Sequence, residues 1–308
     1  MHLLDLFIEK KIIKKIQLLF MPRKKKKKNL LIYSAVNSLL IENKILAPKL
    51  YKENYKQNFI EIEDFGNDTI FKLLRKSGSN KINLYKKSID LLIEIQKIKK
   101  NIIKNFKGKD YKVPIYENNK LFKEAKLFSD WYAKKYISKK KLPTVIIEIN
   151  KQIKFLLSNL KIKNETLVHR DFHVSNLMRY KKQLATIDTQ DALIGNGAYD
   201  LASLIDDVRF ESNKKLKDNI YNYYLKLNQN KINKVTLLND FEILSVIRNM
   251  KIIGIFARLA ARDKKKTYLK LIPHAWKLIE LRTQNNQIFD GLKRVLDINF
   301  PKKIRNLK

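Results

Sequence analysis

The sequence predicts an α+β protein in which a small N-terminal lobe precedes a larger, mostly helical lobe. Three observations support this. Apolar residues at 31, 32, 35, 36, 39 and 40 form a helical stripe, and an alternating strand pattern follows at 59–66. Residues 167–188 have the pattern of a strand, a polar loop and a hairpin. Long helical periodicities follow, including the nearly continuous apolar segment 241–261. We expect the lobes to span residues 1–65 and 66–308.

The composition is that of a globular protein and excludes several classes. A chain of 308 residues with 44% hydrophobic content can bury a large core. The absence of cysteine excludes disulfides and thiolate chemistry, and four histidines leave little room for a zinc site. No apolar run approaches the length of a membrane span. We therefore expect a cytoplasmic protein with no membrane partner.

The charge balance is strongly basic, with 66 Lys and Arg against 30 Asp and Glu and a net charge of +36. A nucleic-acid-binding protein is one interpretation, and salt-dependent binding to DNA or RNA would test it. However, the lysines are spread through every segment, and the richness in Lys, Ile and Asn is typical of A+T-rich coding. No nucleic-acid-binding module is recognisable. We expect no nucleic-acid partner, but we expect the charge to attract anionic substrates such as nucleotides and sugar acids.

Three polar residues flank the strands of the predicted hairpin: Asp171, Asn176 and Asp188. Because the hairpin strands pair, Asn176 and Asp188 should emerge at the same end, with Asp171 in the loop beside them. Carboxylate and amide oxygens suit Mg²⁺ carrying phosphates. The segment that begins at His169 also fits H-R-D-x-x-x-x-N, the catalytic loop of kinases. There the first Asp accepts the proton of the attacking hydroxyl, while the Asn and a later Asp hold metal. The simpler interpretation is a polar loop between strands.

The sequence resembles a known family in several places. Residues 169–178, 187–192 and 199–202 resemble the aminoglycoside phosphotransferase superfamily of small-molecule kinases. Residues 190–192, 248–263 and 268–276 look like the anomeric sugar kinases of bacterial cell-wall recycling, which phosphorylate N-acetylmuramate and N-acetylglucosamine. The likeness runs from about residue 30 to about residue 280. It implies a two-lobed, protein-kinase-like fold with an atypical N-terminal lobe, ATP and Mg²⁺ as cofactors, and a sugar acceptor. We expect a monomer.

The resemblance also assigns roles to individual residues. Backbone groups of Ile62, Glu63 and Asp64 would hold adenine, while His169 and Asp200 would brace the catalytic loop. An N-terminal position in a helix favours the carboxylate of Asp200 in any case. The candidates for acceptor binding are His173, Asp191, Asp207, Arg258, Arg262 and Trp131. Structural interpretations compete with these assignments: a core position for Trp131, a solvated helix face for Asp206 and Asp207, and pairing of the arginines with Asp200 or Asp207.

Residues 1–28 do not match the family. The first twenty alternate apolar and basic groups, and a basic run follows at 23–28. A membrane-surface helix and a targeting segment are possible interpretations, and we favour a frayed basic terminus. The family's nucleotide-covering loop, which has a sequence like Asp-Ala-Ser-Phe-Arg, is missing. Codons that encode residues 1–7 can also encode this sequence when they are read one base out of frame, which raises the possibility of a frame-shifted loop.

Three functional alternatives therefore stay open. The missing loop favours a catalytically impaired pseudokinase. Other acceptors, such as an aminoglycoside or a choline-like alcohol, would fit the same family. The third alternative is the basic nucleic-acid-binding protein described above. The predicted helix at 30–43 carries no glutamate in its body, so the Lys–Glu pair expected of kinases is not identifiable; lysines 24–28 offer possible cations.

Overall fold

A computed structural model describes residues 16–20, 27–57 and 59–306. The chain forms two compact units. The first comprises the described residues up to Ile115, then Asn164–Leu204 and Asn222–Tyr224; the second comprises Tyr116–Lys163, Ile205–Tyr221 and the described residues from Leu225 onward. The lobe boundary at residue 65 stays a prediction, as do the monomeric state and the cytoplasmic location. Most of residues 1–28 lie outside the described residues, and these include Lys24–Lys26 and the segment that the frame-shift hypothesis concerns.

The first unit begins with a three-stranded antiparallel sheet and a helix. The strands are β1 (Ile16–Phe20), β2 (Leu50–Asn54) and β3 (Phe59–Glu63), and they lie in the order β1-β3-β2. Helix α1 is Lys27–Glu42. Ile60 and Ile62 alternate along β3 toward the protein interior and pack against Leu30 and Tyr33 of α1. The helix and the strand predicted from apolar periodicity are therefore confirmed.

Short strands and two helices complete the first unit. They are α2 (Ile70–Leu74), α3 (Lys81–Gln96), β4 (Ile102–Lys104), β5 (Asp110–Lys112), β6 (Thr166–Val168), β7 (Leu177–Tyr180), β8 (Gln183–Thr186) and β9 (Leu193–Gly195), and α7 (Ala198–Ile205) begins here. The predicted hairpin is β7 and β8. Its turn uses Lys181 and Lys182 with φ of 46° and 67°. Positive φ at both central residues is the requirement of a type I′ turn, whose twist matches that of the strands.

The second unit is helical. Its elements are α4 (Asn118–Ala125), α5 (Lys134–Tyr136), α6 (Leu142–Ser158), α8 (Lys214–Asn228), α9 (Lys234–Arg262), α10 (Ile272–Thr283), α11 (Asp290–Asn299) and α12 (Lys302–Arg305). A π-helix at Phe128–Ala133 separates α4 from α5. Its wider turn carries Phe128 and Tyr132 into contact with the ring of Trp276.

The long helix α9 passes very close to the π-helix. A Cβ on Gly254 would lie 2.2 Å from the backbone carbon of Leu127, so only glycine permits this approach. The short helix α12 is also packed into this unit. Arg305 is buried, and it pairs with Glu280 and Asp297 at 2.7 and 2.6 Å. Within the described part of the chain, no helix is long and apolar enough to cross a membrane.

Candidate active site

The end of the β7–β8 hairpin brings the three predicted catalytic residues together. The backbone N–H of Ile187 donates to the carbonyl of Asn176 at 3.0 Å, which extends the pairing beyond both strands. The Asn176 side chain lies between Asp171 and Asp188. Its Nδ2 donates to the Asp171 carbonyl at 3.1 Å and lies 3.4 Å from Asp188 Oδ2. The same-end arrangement predicted from the hairpin is therefore present.

Asp188 has an unusual backbone conformation. Strand β8 ends at Thr186, two residues before the end expected from the sequence, because Asp188 has φ 67° and ψ 44°. These left-handed values are incompatible with a strand and are uncommon outside glycine. A 3₁₀ turn, Thr189–Asp191, follows at once, and Gln190 Nε2 donates to Asp188 Oδ1 at 2.6 Å. The conformation therefore directs the carboxylate toward Asn176 and Gln190.

Asp200 holds the backbone of the catalytic loop. It is fully buried in the first turn of α7, and its oxygens accept the backbone N–H groups of His169 at 2.6 Å and Arg170 at 2.9 Å. Arg170 has φ 72°, another left-handed residue that such contacts must stabilise. The Asp200 side chain contacts the backbone of the loop, as the bracing interpretation requires.

His169 links two strands. Its Nε2 lies 3.0 Å from the Ile187 carbonyl and 2.8 Å from Thr186 Oγ1. A carbonyl only accepts hydrogen bonds, so Nε2 carries the proton. Burial lowers the pKa of His169 and outweighs the opposing effect of the Asp171 charge. His169 thus ties the end of β6 to the end of β8.

The electrostatics of this cluster favour a cation. Burial and then the charge of Asp171 raise the pKa of Asp188 to about 7. Its hydrogen-bond donors, Gln190 and Asn176, are uncharged amides. A divalent cation would relieve this repulsion between carboxylates. Because Asn176 uses Nδ2 toward its neighbours, its Oδ1 is the atom that can bind such a cation.

The donor set suits magnesium better than a metal held by protein alone. Among the described residues there is no cluster of three or more His, Cys, Asp or Glu side chains arranged for a metal. A metal here would need oxygens from Asn176 and from a ligand in addition to the carboxylates. Mg²⁺ bound through one or two carboxylates and substrate phosphates has this arrangement.

A cavity of about 270 Å³ opens beside the cluster within the first unit. Asn176 and Asp188 line it together with the three residues expected to hold adenine, Ile62, Glu63 and Asp64. The Glu63 side chain accepts the Tyr180 hydroxyl at 3.0 Å, and Asp64 accepts the Gly66 backbone N–H at 2.9 Å. The end of β3 is therefore fixed at the cavity wall.

Sequence reasoning missed several residues that line this cavity, among them Tyr33, Lys72, Met178 and Ile187. The alternation of apolar residues in the hairpin could have indicated Met178 and Ile187. Tyr33 lies outside the apolar stripe that predicted α1. Burial, and secondarily the charge of Asp188, raises the pKa of its phenol, so it enters the site as a neutral hydroxyl.

Two acceptor-site candidates lie in the same unit. His173 is buried in the catalytic loop, where its backbone N–H donates to the Asp171 carbonyl at 2.9 Å. Asp191 is paired with Arg170, whose Nη1 donates to the Asp191 carbonyl at 3.1 Å and lies 3.6 Å from its carboxylate.

The other candidates, Asp207, Arg258, Arg262 and Trp131, belong to the second unit. Asp207 is buried and accepts the backbone N–H of Arg209 at 3.0 Å, so the solvated helix face expected for Asp206 and Asp207 was wrong. Arg262 is exposed and pairs with neighbouring Asp263 through two bonds of 2.8 Å. Arg258 and Trp131 are partly buried.

The sequence pattern of the phosphotransferase enzyme family matches residues 76–232, a span that contains the whole hairpin and its loop. The chain belongs to this family. The predicted enzyme class, a phosphotransferase, is therefore confirmed.

Two relatives show how far the likeness extends. An N-acetylmuramate/N-acetylglucosamine kinase of Pseudomonas aeruginosa is 26% identical over 80% of this chain and 71% of its own length. A protein of the same name from Neisseria meningitidis is 28% identical over 74% of this chain and 67% of its own length.

Solved structures show the fold. The chain is similar to APH(2″)-IIa in its gentamicin complex, with a TM-score of 0.61 and 17% identity over 89% of this chain and 86% of that one. A choline/ethanolamine kinase family protein from Mesorhizobium loti gives a TM-score of 0.60 and 9% identity over 92% and 87% of the two chains. The aminoglycoside phosphotransferase-like, protein-kinase-like fold is therefore confirmed.

Proposed function

We propose that this phosphotransferase transfers the γ-phosphoryl group of ATP to the anomeric hydroxyl of N-acetylmuramate or N-acetylglucosamine. One observation supports it most: Asn176 joins Asp171 to Asp188, and Asn176 and Asp188 line a cavity together with the end of β3. This combination provides a base, a place for metal and room for a nucleotide within one unit.

Each residue has a role in this proposal. The buried carboxylate of Asp171 orients the acceptor hydroxyl and takes its proton as the new O–P bond forms and ADP leaves. Asn176 and Asp188 would hold Mg²⁺, which neutralises charge on the transferred phosphoryl group when it is bound. Backbone groups of Ile62, Glu63 and Asp64 would hold adenine. His169 and Asp200 keep the loop in position and do not exchange protons with substrate.

The names of the relatives and the charge of this chain support an amino-sugar acceptor. Both relatives above are named for N-acetylmuramate and N-acetylglucosamine. Aminoglycosides and choline are cations, and a protein with a net charge of +36 repels them at long range. N-acetylmuramate is an anion and N-acetylglucosamine is neutral. An intracellular role in cell-wall recycling, where ATP is present, fits both acceptors.

An acceptor screen with γ-labelled ATP and Mg²⁺ tests the proposal. We expect label in N-acetylmuramate and N-acetylglucosamine but not in kanamycin or choline. The methyl glycoside of N-acetylglucosamine is a matched control, because its anomeric oxygen is blocked; it should stay unlabelled. Labelling of the methyl glycoside would rule out the anomeric position, and labelling of kanamycin alone would rule out the acceptor class.

The pseudokinase alternative predicts a different result. A pseudokinase would transfer no label to any acceptor, although it could still be stabilised by nucleotide. Thermal unfolding with ATP and Mg²⁺, measured in the same samples, separates an inactive nucleotide-binding protein from one that does not bind nucleotide.

A further inference from the structure

Tyr33, in the first half of α1, is a buried tyrosine in the wall of the cavity. It retains 5% of its surface, and it packs against Leu30, Ile60 and Ile62. Among the described residues, its hydroxyl has no hydrogen-bond partner. A buried polar group without a partner is unfavourable, so a ligand in the cavity that accepts a hydrogen bond would stabilise this hydroxyl.

Two other polar side chains of α1 are buried, and both use a donor inside the protein. Ser34 donates to the carbonyl of Leu31 at 2.9 Å, and Asn37 donates to the carbonyl of Pro48. Each of these two donors therefore contributes to the fold. The donor of Tyr33 makes no such contribution within the described part of the chain.

The Tyr33 hydroxyl faces the same cavity as the proposed metal-binding residues. Asn176 and Asp188 line this cavity with it. After burial, the charge of Asp188 is the second cause that raises the pKa of Tyr33, so the two groups interact electrostatically. They share no hydrogen bond, because the Asp188 oxygens are engaged with Gln190 and Asn176. A ligand atom can therefore lie beside both groups.

The other donors of the cavity wall have a different origin. Asn67, Thr69 and Lys72 come from the segment after β3 and from α2, whereas Tyr33 is the side chain that α1 contributes. Its neutral phenol also suits a position near carboxylates. A lysine there would be attracted to Asp188 and would compete with a metal for it, while a phenol can donate to an anion without such competition.

We propose that the Tyr33 hydroxyl donates a hydrogen bond to a phosphate oxygen of the nucleotide whose metal Asn176 and Asp188 hold. This inference rests on the proposed function, because it takes the cavity as the nucleotide site. The phosphates are the part of a nucleotide that the metal bridges to the protein, so they lie beside Asp188. Tyr33 would thus fix the phosphates from α1, while the end of β3 holds adenine.

The test measures binding of ATP with Mg²⁺, and of adenosine, to the wild type and to Tyr33→Phe by titration calorimetry. We expect Tyr33→Phe to weaken ATP binding by about 10- to 100-fold, the range of one hydrogen bond to a charged group. Adenosine carries no phosphate, so its affinity should not change. Unchanged ATP affinity, or an equal loss for adenosine and ATP, overturns the proposal.

Tyr224→Phe is the matched control for this change. Tyr224 is a buried tyrosine of the same unit, and its hydroxyl donates to Gln96 at 2.8 Å rather than facing the cavity. The control should bind ATP and adenosine like the wild type. A loss of ATP affinity in Tyr224→Phe as large as that in Tyr33→Phe would make the effect non-specific and would overturn the assignment.

Stability separates ligand binding from a structural role. Removing a hydroxyl that has no protein partner should leave the unfolding midpoint of nucleotide-free Tyr33→Phe unchanged or higher. Tyr224→Phe should lower the midpoint, because Gln96 loses its donor. ATP with Mg²⁺ should then raise the midpoint of Tyr33→Phe less than that of the wild type. A nucleotide-free midpoint for Tyr33→Phe as low as that of Tyr224→Phe would assign Tyr33 a structural role instead.

The outcomes distinguish this inference from the proposed function. If Tyr33→Phe loses ATP affinity as expected but the wild type labels no sugar, the proposed reaction fails and the phosphate contact stands. If the sugars are labelled as expected but Tyr33→Phe binds ATP like the wild type, the contact fails and the proposed function stands. Absence of ATP binding to the wild type overturns both.

Discussion

Two acidic centres, one in each compact unit, are built in opposite ways. Asp206 in the second unit is fully buried and accepts hydrogen bonds from Lys217, Arg282 and Ser245. Burial alone would raise its pKa, but the two cations and these hydrogen bonds hold the pKa well below its usual range. Asp188 in the first unit receives hydrogen bonds from two uncharged amides, and its pKa rises to about 7.

We interpret this difference as one between a structural carboxylate, Asp206, and the proposed metal-binding carboxylate, Asp188. A buried carboxylate surrounded by cations and hydrogen-bond donors joins parts of the fold. Its charge is already compensated, so it does not need a bound cation. An acid placed beside another acid, without such compensation, is poised to bind a cation, and strongly perturbed groups in clefts are typical of functional sites.

The largest effect is expected at the base. Asp171→Asn should lower kcat by about 10²- to 10⁴-fold, the usual contribution of general base catalysis. ATP affinity and the unfolding midpoint should stay close to the wild type, since the amide has nearly the same shape. Steady-state kinetics with the best acceptor of the screen, alongside thermal unfolding, measure both. Near-normal turnover would remove Asp171 from this role.

Asp206 should instead affect stability. Asp206→Asn leaves Lys217 and Arg282 without their shared carboxylate, and breaking a buried pair in this way typically costs about 3–5 kcal/mol. Urea unfolding measures this loss. The exposed pair of Arg262 and Asp263 provides the control, because Asp263→Asn should change the urea midpoint little. A stable Asp206→Asn protein with impaired ATP binding would contradict the assignment.

The two aspartates should also give opposite pH dependences of stability. The stabilisation from Asp206 is present above the ordinary aspartate pKa of about 3.9 and is lost as the pH falls below it, because its folded pKa is depressed. The folded pKa of Asp188 is raised, so its ionisation opposes folding increasingly between about pH 4 and pH 7. In metal-free buffer, Asp188→Asn should therefore gain stability over the wild type as the pH rises through this window. Parallel stability curves for these two proteins would contradict the raised pKa.

The sequence predicted the hairpin and the proximity of its polar residues better than it predicted their surroundings. Alternating apolar residues located the hairpin, and the H-R-D-x-x-x-x-N spacing identified Asp171 and Asn176, because strand pairing and loop length act locally. The left-handed backbone of Asp188 and the burial of Asp206 depend on contacts with distant residues, which no local pattern records.

The π-helix is another such case, since the close approach at Gly254 involves residues more than one hundred positions apart.

The most direct test of the contrast is the coupling between Mg²⁺ and ATP at Asp188. ATP affinity should be measured by titration calorimetry for the wild type and Asp188→Ala, each with and without Mg²⁺. If Asp188 holds a cation that bridges to the phosphates, Mg²⁺ should strengthen ATP binding to the wild type. It should strengthen binding to Asp188→Ala far less, while metal-free affinities stay similar. Equal weakening of ATP binding by Asp188→Ala in both conditions would show that Asp188, like Asp206, is structural.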